Sequence, residues 1–244
     1  RSLARSGLAG KQRKRRWIRG PAEGRVPAAT LAAMSLLLAG LDDYLLSILP
    51  PRDAVLSRME AEAARRGIPI VGPAVGRLLA QYAALVGARR VFELGSAIGY
   101  STIWLARAVG AEGRVFYTDG SEENAAEARR NLAEAGVADR VTVLVGDALA
   151  RLEETDGEFD LIFNDVDKEG YPDVARRAIP RLRVGGLLVT DNVLWDGFLR
   201  LPSGEDDAET AAIREHNRLL YEHPDVETTI VPLRDGVSVA RRLR

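Results

Sequence analysis

The stretch VFELGSAIGYST, residues 91–102, joins a short apolar run to the start of a helical pattern through two glycines. The run VFEL has the length and apolar character of a buried strand, and the residues from Tyr100 onward predict a helix over 100–109. Glycines between a strand and a helix let backbone amides approach a ligand at the helix N-terminus. The stretch therefore predicts a ligand-binding unit of strand, turn and helix.

The alternation of strand and helix continues along the chain. Helical patterns cover 42–86, before the first strand. Further apolar runs begin at residues 115, 141, 159 and 186, and candidate helices lie between them over 122–135, 148–154 and 171–181. This order predicts an α/β fold with a parallel sheet and helices on both faces. Arg234-Asp235-Gly236 is a hairpin signal near the end of the chain, so we expect the sheet to finish with an antiparallel pair.

The composition limits the classes of function. The 244 residues are 46% hydrophobic and 28% charged, which is typical of a globular protein with one main domain. The absence of cysteine excludes disulfides, zinc thiolates and thiol nucleophiles, and it favours a cytoplasmic location. The two histidines, His216 and His223, give little support to His–Asp–Ser catalysis. No apolar run reaches the roughly 20 residues of a membrane span.

Residues 1–33 differ from the remainder of the chain because they are rich in arginine and lysine and contain a single acid, Glu23. One interpretation is an arm that contacts nucleic acid or another anionic surface, and the other is a flexible solvated tail. We therefore expect a basic arm over 1–33 and one domain over 34–244 that includes the helices of 42–86.

Acidic residues end the five apolar runs, and the carboxyl ends of parallel strands face one crevice. The acids are Glu93, Asp119, Asp147, Asp165 and Asp191. One or two of them fit the role of a helix N-cap, but all five do not. Crowded anions need cations, and Lys168 is the one basic side chain that the sequence places at this edge. A cationic ligand, a metal ion or both would complete the balance.

The glycine pattern indicates which ligand the first turn accepts. Gly95 and Gly99 form G-x-x-x-G rather than the G-x-G-x-x-G of dinucleotide sites, and Glu93 stands two residues before the first glycine. A glutamate there would repel a pyrophosphate, which disfavours a dehydrogenase, and would suit the positive charges of S-adenosylmethionine. Asp119 follows Gly99 by 20 residues, where a carboxylate can bind ribose hydroxyls.

The chain resembles the class I S-adenosylmethionine-dependent methyltransferases, and among them the cation-dependent O-methyltransferases typified by catechol and caffeoyl-coenzyme A O-methyltransferases. The motifs that carry the resemblance, in chain order, are IPIVGPAVG, ELGSAIGYST, YTDGSEEN, VGDAL, FNDVDKEGY, TDNVLW and RDGVSVARRL. The resemblance implies a Rossmann-like, doubly wound, seven-stranded sheet in the order 3-2-1-4-5-7-6 with the last strand antiparallel. It also implies an enzyme that acts as a homodimer.

The resemblance implies roles for single residues that bind the methyl donor. Glu93, Gly95 and Ser101 would hold the methionine end, Asp119 the ribose, and Asp147 with the Ala148 amide the adenine. Val71, Gly120 and Asp165 would complete the donor contacts. On the substrate side, Trp195 would form an aromatic wall, and Tyr44 and Ile70 could reach the same space, although plain packing explains both of these equally well.

Asp165, Asp191 and Asn192 are candidate ligands of Mg²⁺, or of Mn²⁺ or Ca²⁺, because they supply hard oxygen atoms from two adjacent strand ends. The alternative is that they cap helices and form turns. The family usually has an apolar residue before the metal aspartate, whereas this chain has Asn164, and that buried amide must find partners.

Lys168 is one of three lysines in a chain with 31 arginines. Lysine can release its proton where burial and like charge disfavour the ammonium form, which arginine does not do, so we expect Lys168 to act as the general base. The alternative is an ion pair with Asp165 or Asp167. The expected activity is methylation of a hydroxyl of a small catechol-like molecule. The alternatives are a transfer RNA hydroxyuridine as the substrate, or a module that binds S-adenosylmethionine without catalysis.

Overall fold

Short apolar strands form a seven-stranded sheet at the centre of the fold, in a computed structural model that describes residues 40–194 and 206–244. Their alternating side chains enter a core on each face of the sheet. The strands are β1 (Arg90–Leu94), β2 (Arg114–Asp119), β3 (Val141–Val145), β4 (Phe159–Asn164), β5 (Leu182–Thr190), β6 (Val226–Val231) and β7 (Val237–Arg242).

The sheet has the order β3-β2-β1-β4-β5-β7-β6, which confirms the expected order. The pairs β1–β2, β2–β3, β1–β4 and β4–β5 are parallel, and β7 is antiparallel to both β5 and β6. The late hairpin signal is also confirmed, because Arg234 and Gly236 adopt the positive φ angles of 53° and 88° between β6 and β7.

Helices cover both faces of the sheet. They are α1 (Leu41–Ile48), α2 (Ala54–Arg66), α3 (Gly72–Leu85), α4 (Tyr100–Ala108), α5 (Glu122–Glu134), α6 (Ala148–Glu154), α7 (Tyr171–Ala178) and α8 (Ala208–Glu222). The sequence predicts a helix over 171–181, but α7 ends at Ala178 and a 3₁₀ turn containing Pro180 follows, since proline has no amide hydrogen to continue the helix. The sequence analysis missed α8, whose buried face mixes Thr210 and His216 with apolar residues.

Two apolar cores place the two sets of helices. Alternate residues such as Val91 and Phe163 face the core formed with α2, α3 and α4. Their neighbours, such as Phe92 and Ile162, face the core formed with α6, α7 and α8. This packing fixes the carboxyl ends of β1 to β5 along one edge, where the predicted acids lie.

Residues Asp42–Arg244 form one compact unit. The domain boundary expected at residue 34 stays a prediction, because residues 34–39 lie outside the described residues. The basic arm over 1–33 lies outside the described residues. None of the helices in the described ranges combines the length and the apolar character that crossing a bilayer requires.

Candidate active site

A cavity of about 720 Å³ lies at the carboxyl ends of the parallel strands. Its wall brings together most of the predicted site residues, which come from six separate stretches of sequence. They are Ile70, Val71, Gly95, Ser101, Asp119, Gly120, Asp147, Ala148, Asp165, Lys168, Asp191 and Asn192. The sequence prediction of a common acidic edge therefore agrees with the structure for four of the five acids, and Glu93 is the exception.

The glycine turn after β1 forms one wall of the cavity and has no room for side chains at its glycines. Gly95 has a φ of 81°, and a Cβ there would come within 2.5 Å of the carbonyl oxygen of Asp165. Gly99 has a φ of 85° and stands at the N-terminus of α4. Gly95 thus lets the turn pack directly against the end of β4, and Gly95, Ser96 and Ala97 line the cavity.

Asp119 holds this wall together from the end of β2. Its Oδ2 accepts a hydrogen bond of 3.0 Å from the amide of Ala97. Its Oδ1 accepts from the Ser121 amide at 2.8 Å and from Asn124 Nδ2 at 3.1 Å. The carboxylate thus links the turn after β1 to the turn after β2 and still borders the cavity. We call the Gly95–Gly99 turn, Asp119 and Asp147 the donor side of the cavity.

Asp147 has a structural role as well as a place on the wall. Its Oδ1 accepts a hydrogen bond of 2.7 Å from the amide of Ala150, so it is the N-cap of α6. The following residue, Ala148, lines the cavity beside it. One of the five acids is therefore a helix cap, which agrees with the allowance made from the sequence.

Glu93 lies beneath the cavity and is fully buried, so it is not part of the wall. The Thr102 hydroxyl of α4 donates to its Oε2, while its Oε1 has no hydrogen-bond partner in the described part of the chain. Burial raises the pKa of Glu93 to about 7, although the nearby hydroxyl groups of Ser101, Thr102 and Ser96 oppose this rise. Glu93 is buried because side chains alternate along β1, and this alternation directs the side chain of residue 93 toward α4 rather than into the cavity.

Lys168 is the centre of a second group of polar residues at the ends of β4 and β5. Its Nζ donates to Asp165 Oδ1 at 3.1 Å, to Asn192 Oδ1 at 2.6 Å and to the Tyr171 hydroxyl at 2.8 Å. The side chain is 12% exposed. The ion pair with Asp165 is therefore present, and it occurs together with the contacts to Asn192 and Tyr171.

The carboxyl groups around Lys168 have raised pKa values. Burial raises the pKa of Asp165 to about 6, and the nearby Lys168 opposes this rise. Burial and the charges of Asp165 and Asp235 raise the pKa of Asp191 to about 7. Burial is the main cause of both rises, and the positive charges of Lys168 and Arg234 near Asp165, and of Arg234 near Asp191, do not offset it. We call Asp165, Lys168, Asp191, Asn192 and Asp235 the cation side of the cavity.

Three contributors to this group were missed from the sequence. Tyr171 is buried, and its hydroxyl accepts from Lys168 and donates to the carbonyl of Asp191 at 2.9 Å. Asp235 and Arg234 line the cavity from the turn between β6 and β7. The RDG motif predicts the hairpin but not that its side chains line the cavity. The signal that could have revealed this is the pair of charged residues, Arg234 and Asp235, within a hairpin turn.

The remaining predicted residues have different outcomes. Tyr44 is wrong as a residue of the cavity, because it is 60% exposed on α1 and is not among the described residues of the wall. Leu45 and Leu49 of the same helix line a separate groove with Leu78, which turns Tyr44 toward solvent. Trp195 lies outside the described residues. Asn164 is fully buried, and neither polar atom of its amide finds a hydrogen-bond partner among the residues that the structure describes.

The oxygen atoms of the cation side fit a hard divalent cation. Asp191 Oδ1 is buried and has no hydrogen-bond partner within 40–194 and 206–244. Asp165 and Asn192 present oxygen atoms to the same ammonium group, so they already bind positive charge. Over the same described ranges, no three His, Cys, Asp or Glu side chains group as metal ligands. A cation held by Asp165 and Asp191 would need the amide oxygen of Asn192 as its third ligand.

Comparison with known proteins identifies the family. The model of the O-methyltransferase family matches residues 53–243. A catechol O-methyltransferase of Mycobacterium tuberculosis is 39% identical over 194 residues, which cover 78% of this chain and 87% of that protein. A catechol O-methyltransferase of Niastella koreensis is 33% identical and covers 84% of this chain and 97% of that protein.

Solved structures agree with this assignment. The O-methyltransferase TomG of Streptomyces achromogenes, in complex with S-adenosylmethionine, has a TM-score of 0.76 at 32% identity and covers 84% of this chain and 96% of that chain. An O-methyltransferase of Bacillus cereus, in complex with S-adenosylhomocysteine, has a TM-score of 0.75 at 32% identity and covers 83% and 97%. The chain therefore belongs to the O-methyltransferase family and is an S-adenosylmethionine-dependent methyltransferase.

Proposed function

We propose that this enzyme depends on a divalent cation and methylates a hydroxyl group of a small catechol-like molecule. The observation that carries the proposal is the arrangement around Lys168, whose ammonium contacts Asp165 and Asn192. Beside them lies the buried Oδ1 atom of Asp191, which has no hydrogen-bond partner in the described residues. A base, two carboxylates and an amide oxygen thus meet at the wall of the cavity that also contains the donor side.

The donor side would hold S-adenosylmethionine. Asp119 is placed to accept hydrogen bonds from ribose hydroxyls, and the turn of Gly95–Gly99 offers backbone to the methionine end. Asp147 and Ala148 border the space for the adenine. Glu93, which lies beneath the cavity and accepts a hydrogen bond from Thr102, would add negative charge under the donor side when it is ionised.

The cation side would hold the metal ion through Asp165, Asp191 and Asn192. When bound, a divalent ion supplies acidity to a coordinated hydroxyl and orients its oxygen. Mg²⁺ suits these oxygen ligands, and Mn²⁺ or Ca²⁺ could replace it. The raised pKa values of Asp165 and Asp191 support the proposal, since two buried carboxylates remain ionised more easily beside positive charge.

Lys168, once it has released a proton and stands as the neutral amine, would take the proton of the substrate hydroxyl at its Nζ. The deprotonated oxygen of the substrate then attacks the methyl carbon of S-adenosylmethionine, in line with the carbon–sulfur bond. A carbon–oxygen bond forms while the carbon–sulfur bond breaks. The electron pair of the broken bond stays on sulfur. The products are a methyl ether, S-adenosylhomocysteine and the Lys168 ammonium, whose hydrogen bond to the Tyr171 hydroxyl keeps Nζ in the cavity.

The charges of the cavity support a small substrate over a nucleic acid. The lining carries the basic side chains Lys168 and Arg234 among the described residues. It carries seven acidic side chains, which are Asp119, Asp147, Asp165, Asp167, Asp191, Glu209 and Asp235. Phosphate groups would be repelled by this wall, whereas a neutral catechol with an aromatic ring near Ile70 would not.

The test is methyl transfer from labelled S-adenosylmethionine to catechols, after chelation and again with added Mg²⁺. We expect activity that Mg²⁺ restores, and loss of this restoration in Asp191→Ala. The control is Asp173→Ala, which removes an exposed acid of α7. Activity that chelation leaves unchanged in the wild type would contradict the proposal.

A second arm of the experiment offers hydroxylated RNA to the full chain and to a chain without residues 1–33. Methylation of RNA but not of catechols, lost with the arm, would favour the transfer RNA alternative. Light scattering of the same preparations would test the homodimer that the resemblance implies.

A further inference from the structure

The turn between β6 and β7 is fixed against the segment that follows β5. The amide of Leu194 donates to the carbonyl of Asp235 at 2.7 Å, and the amide of Val193 donates to the carbonyl of Gly236 at 3.0 Å. Gly236 has a φ of 88°, and a Cβ there would lie 2.5 Å from the Leu194 side chain. These backbone hydrogen bonds hold Asp235 next to Asn192.

Arg234 fixes the same turn from the opposite side of the cavity. Its guanidinium donates to the carbonyl oxygen of Val71, at the N-terminus of α3. The turn thus spans from the start of α3 to the end of β5. Because these contacts involve neither oxygen of the Asp235 side chain, changing that side chain leaves the anchors in place.

The amide of Asn192 lies between one acceptor and one donor. Its Nδ2 donates to Asp235 Oδ2 at 2.6 Å, and its Oδ1 accepts from Lys168 Nζ at 2.6 Å. A carboxylate can only accept and an ammonium can only donate, so the amide has one favourable orientation. Asn192 also has a φ of 58°, a left-handed conformation that asparagine tolerates better than most residues.

We propose that Asp235 is a positioning residue that turns the amide oxygen of Asn192 toward the cation site. This inference rests on the cation dependence proposed above. Without the carboxylate, the amide can rotate by half a turn and present its NH₂ group, which cannot bind a metal ion, to the other ligands. Partners of metal ligands typically contribute 10–100-fold to metal affinity.

A charge effect must be separated from this orientation effect, because Asp235 also raises the pKa values of Asp165 and Asp191. Asp167 is a matched control. It lines the same cavity and is exposed, and among the hydrogen bonds of the described residues none joins it to Asn192. Asp235→Asn and Asp167→Asn each remove one negative charge. Only the first also replaces the acceptor-only partner of Asn192 Nδ2 by an amide, which can present either its oxygen or its NH₂ group and so no longer fixes the orientation of Asn192.

The first experiment measures Mn²⁺ binding by electron paramagnetic resonance, with S-adenosylhomocysteine affinity as the measure of an intact fold. We expect about 10–100-fold weaker Mn²⁺ binding in Asp235→Asn and a much smaller loss in Asp167→Asn. The exchange Asn192→Asp with Asp235→Asn should bind Mn²⁺ more tightly than Asp235→Asn alone, because an amide at 235 can donate to a carboxylate at 192. Equal losses in the two single variants would overturn the inference.

The second experiment observes the pairing in metal-free enzyme. The side-chain amide signal of Asn192 in ¹H–¹⁵N spectra is assigned by its loss in Asn192→Ser. We expect Asp235→Asn to move one of its protons upfield, as a charge-assisted hydrogen bond is lost, and Asp167→Asn to leave it in place. An unchanged signal in Asp235→Asn would overturn the inference.

The two experiments separate the failure of this inference from the failure of the proposed function. Wild-type enzyme that binds no Mn²⁺ while the amide pairing is intact would overturn the cation dependence, and the role of Asp235 with it. Wild-type Mn²⁺ binding that Asp235→Asn leaves unchanged would overturn only the role of Asp235.

Discussion

The donor side and the cation side share one cavity but differ in how their polar atoms are satisfied. On the donor side, Asp119 accepts hydrogen bonds at both oxygens, and Asp147 caps a helix. On the cation side, Asp191 Oδ1 and Asp235 Oδ1 are buried without a partner in the described residues. The pKa values of Asp165 and Asp191 are raised there, to about 6 and about 7.

On the donor side the carboxylates are hydrogen-bonded within the fold, whereas on the cation side two buried carboxylate oxygens have no hydrogen-bond partner in the described residues. A buried carboxylate without a partner is costly, and positive charge beside it lowers that cost. One ammonium, that of Lys168, contacts Asp165 and Asn192. A separate ion would complete the group, so changes on the two sides should affect different measurements.

The largest effect should follow from Lys168→Arg, which keeps a positive charge but removes the group that accepts the proton. We expect kcat to fall by about 10²–10⁴-fold, the usual contribution of a general base. Affinity for S-adenosylhomocysteine should stay within about twofold, because the donor side is unchanged. Single-turnover kinetics and calorimetry measure the two quantities.

The control for this variant is Arg176→Lys, which makes the related exchange at an exposed position of α7. If Lys168→Arg retained turnover near that of the control, Lys168 would serve as a charge and not as a base.

A smaller effect, and one confined to the donor side, should follow from Asp119→Ala. The variant loses the hydrogen bonds that join the turns after β1 and β2, together with the carboxylate for the ribose. Hydrogen bonds to charged groups contribute about 1.5–3 kcal/mol each, so donor affinity should fall by about 10–100-fold. Mn²⁺ affinity should not change. Calorimetry with S-adenosylhomocysteine measures the loss, with Asp139→Ala as an exposed control.

If Asp119→Ala weakened the binding of S-adenosylhomocysteine and of Mn²⁺ equally, the donor side and the cation side would not be independent of each other.

The sequence could predict the residues that stand at strand ends. Asp165, Asp191 and Asn192 each follow a strand that the apolar runs mark clearly, and the order of the sheet brings these ends together. The same reasoning placed Asp119 and Asp147 correctly. It was wrong for Glu93, because the glutamate lies inside its strand and the alternation of side chains directs it toward α4.

Contacts that depend on the docking of distant elements could not be predicted. Asn192 and Asp235 are 43 residues apart, and they meet because β7 inserts between β5 and β6. The sequence could not place Tyr44, because the helical pattern of α1 does not show which face of the helix packs against the domain. Tyr171 looked like the first residue of a helix, and its contact with Lys168 appears only when the 3₁₀ turn of Lys168–Gly170 is formed.

The smallest of these effects should follow from Tyr171→Phe. This variant tests whether the buried hydroxyl of Tyr171, which does not line the cavity, supports Lys168. The Tyr171 hydroxyl accepts a charge-assisted hydrogen bond from Lys168 and donates a neutral one to the Asp191 carbonyl. The variant removes both hydrogen bonds and keeps the ring. We expect kcat to fall by about tenfold, equivalent to about 1.4 kcal/mol, with KM and donor affinity nearly unchanged. Tyr221→Phe, at an exposed position of α8, is the matched control. A loss that appears in donor affinity as much as in kcat would assign Tyr171 to general packing, whereas a loss in kcat alone would show that Lys168 needs this hydroxyl to hold its Nζ toward the substrate.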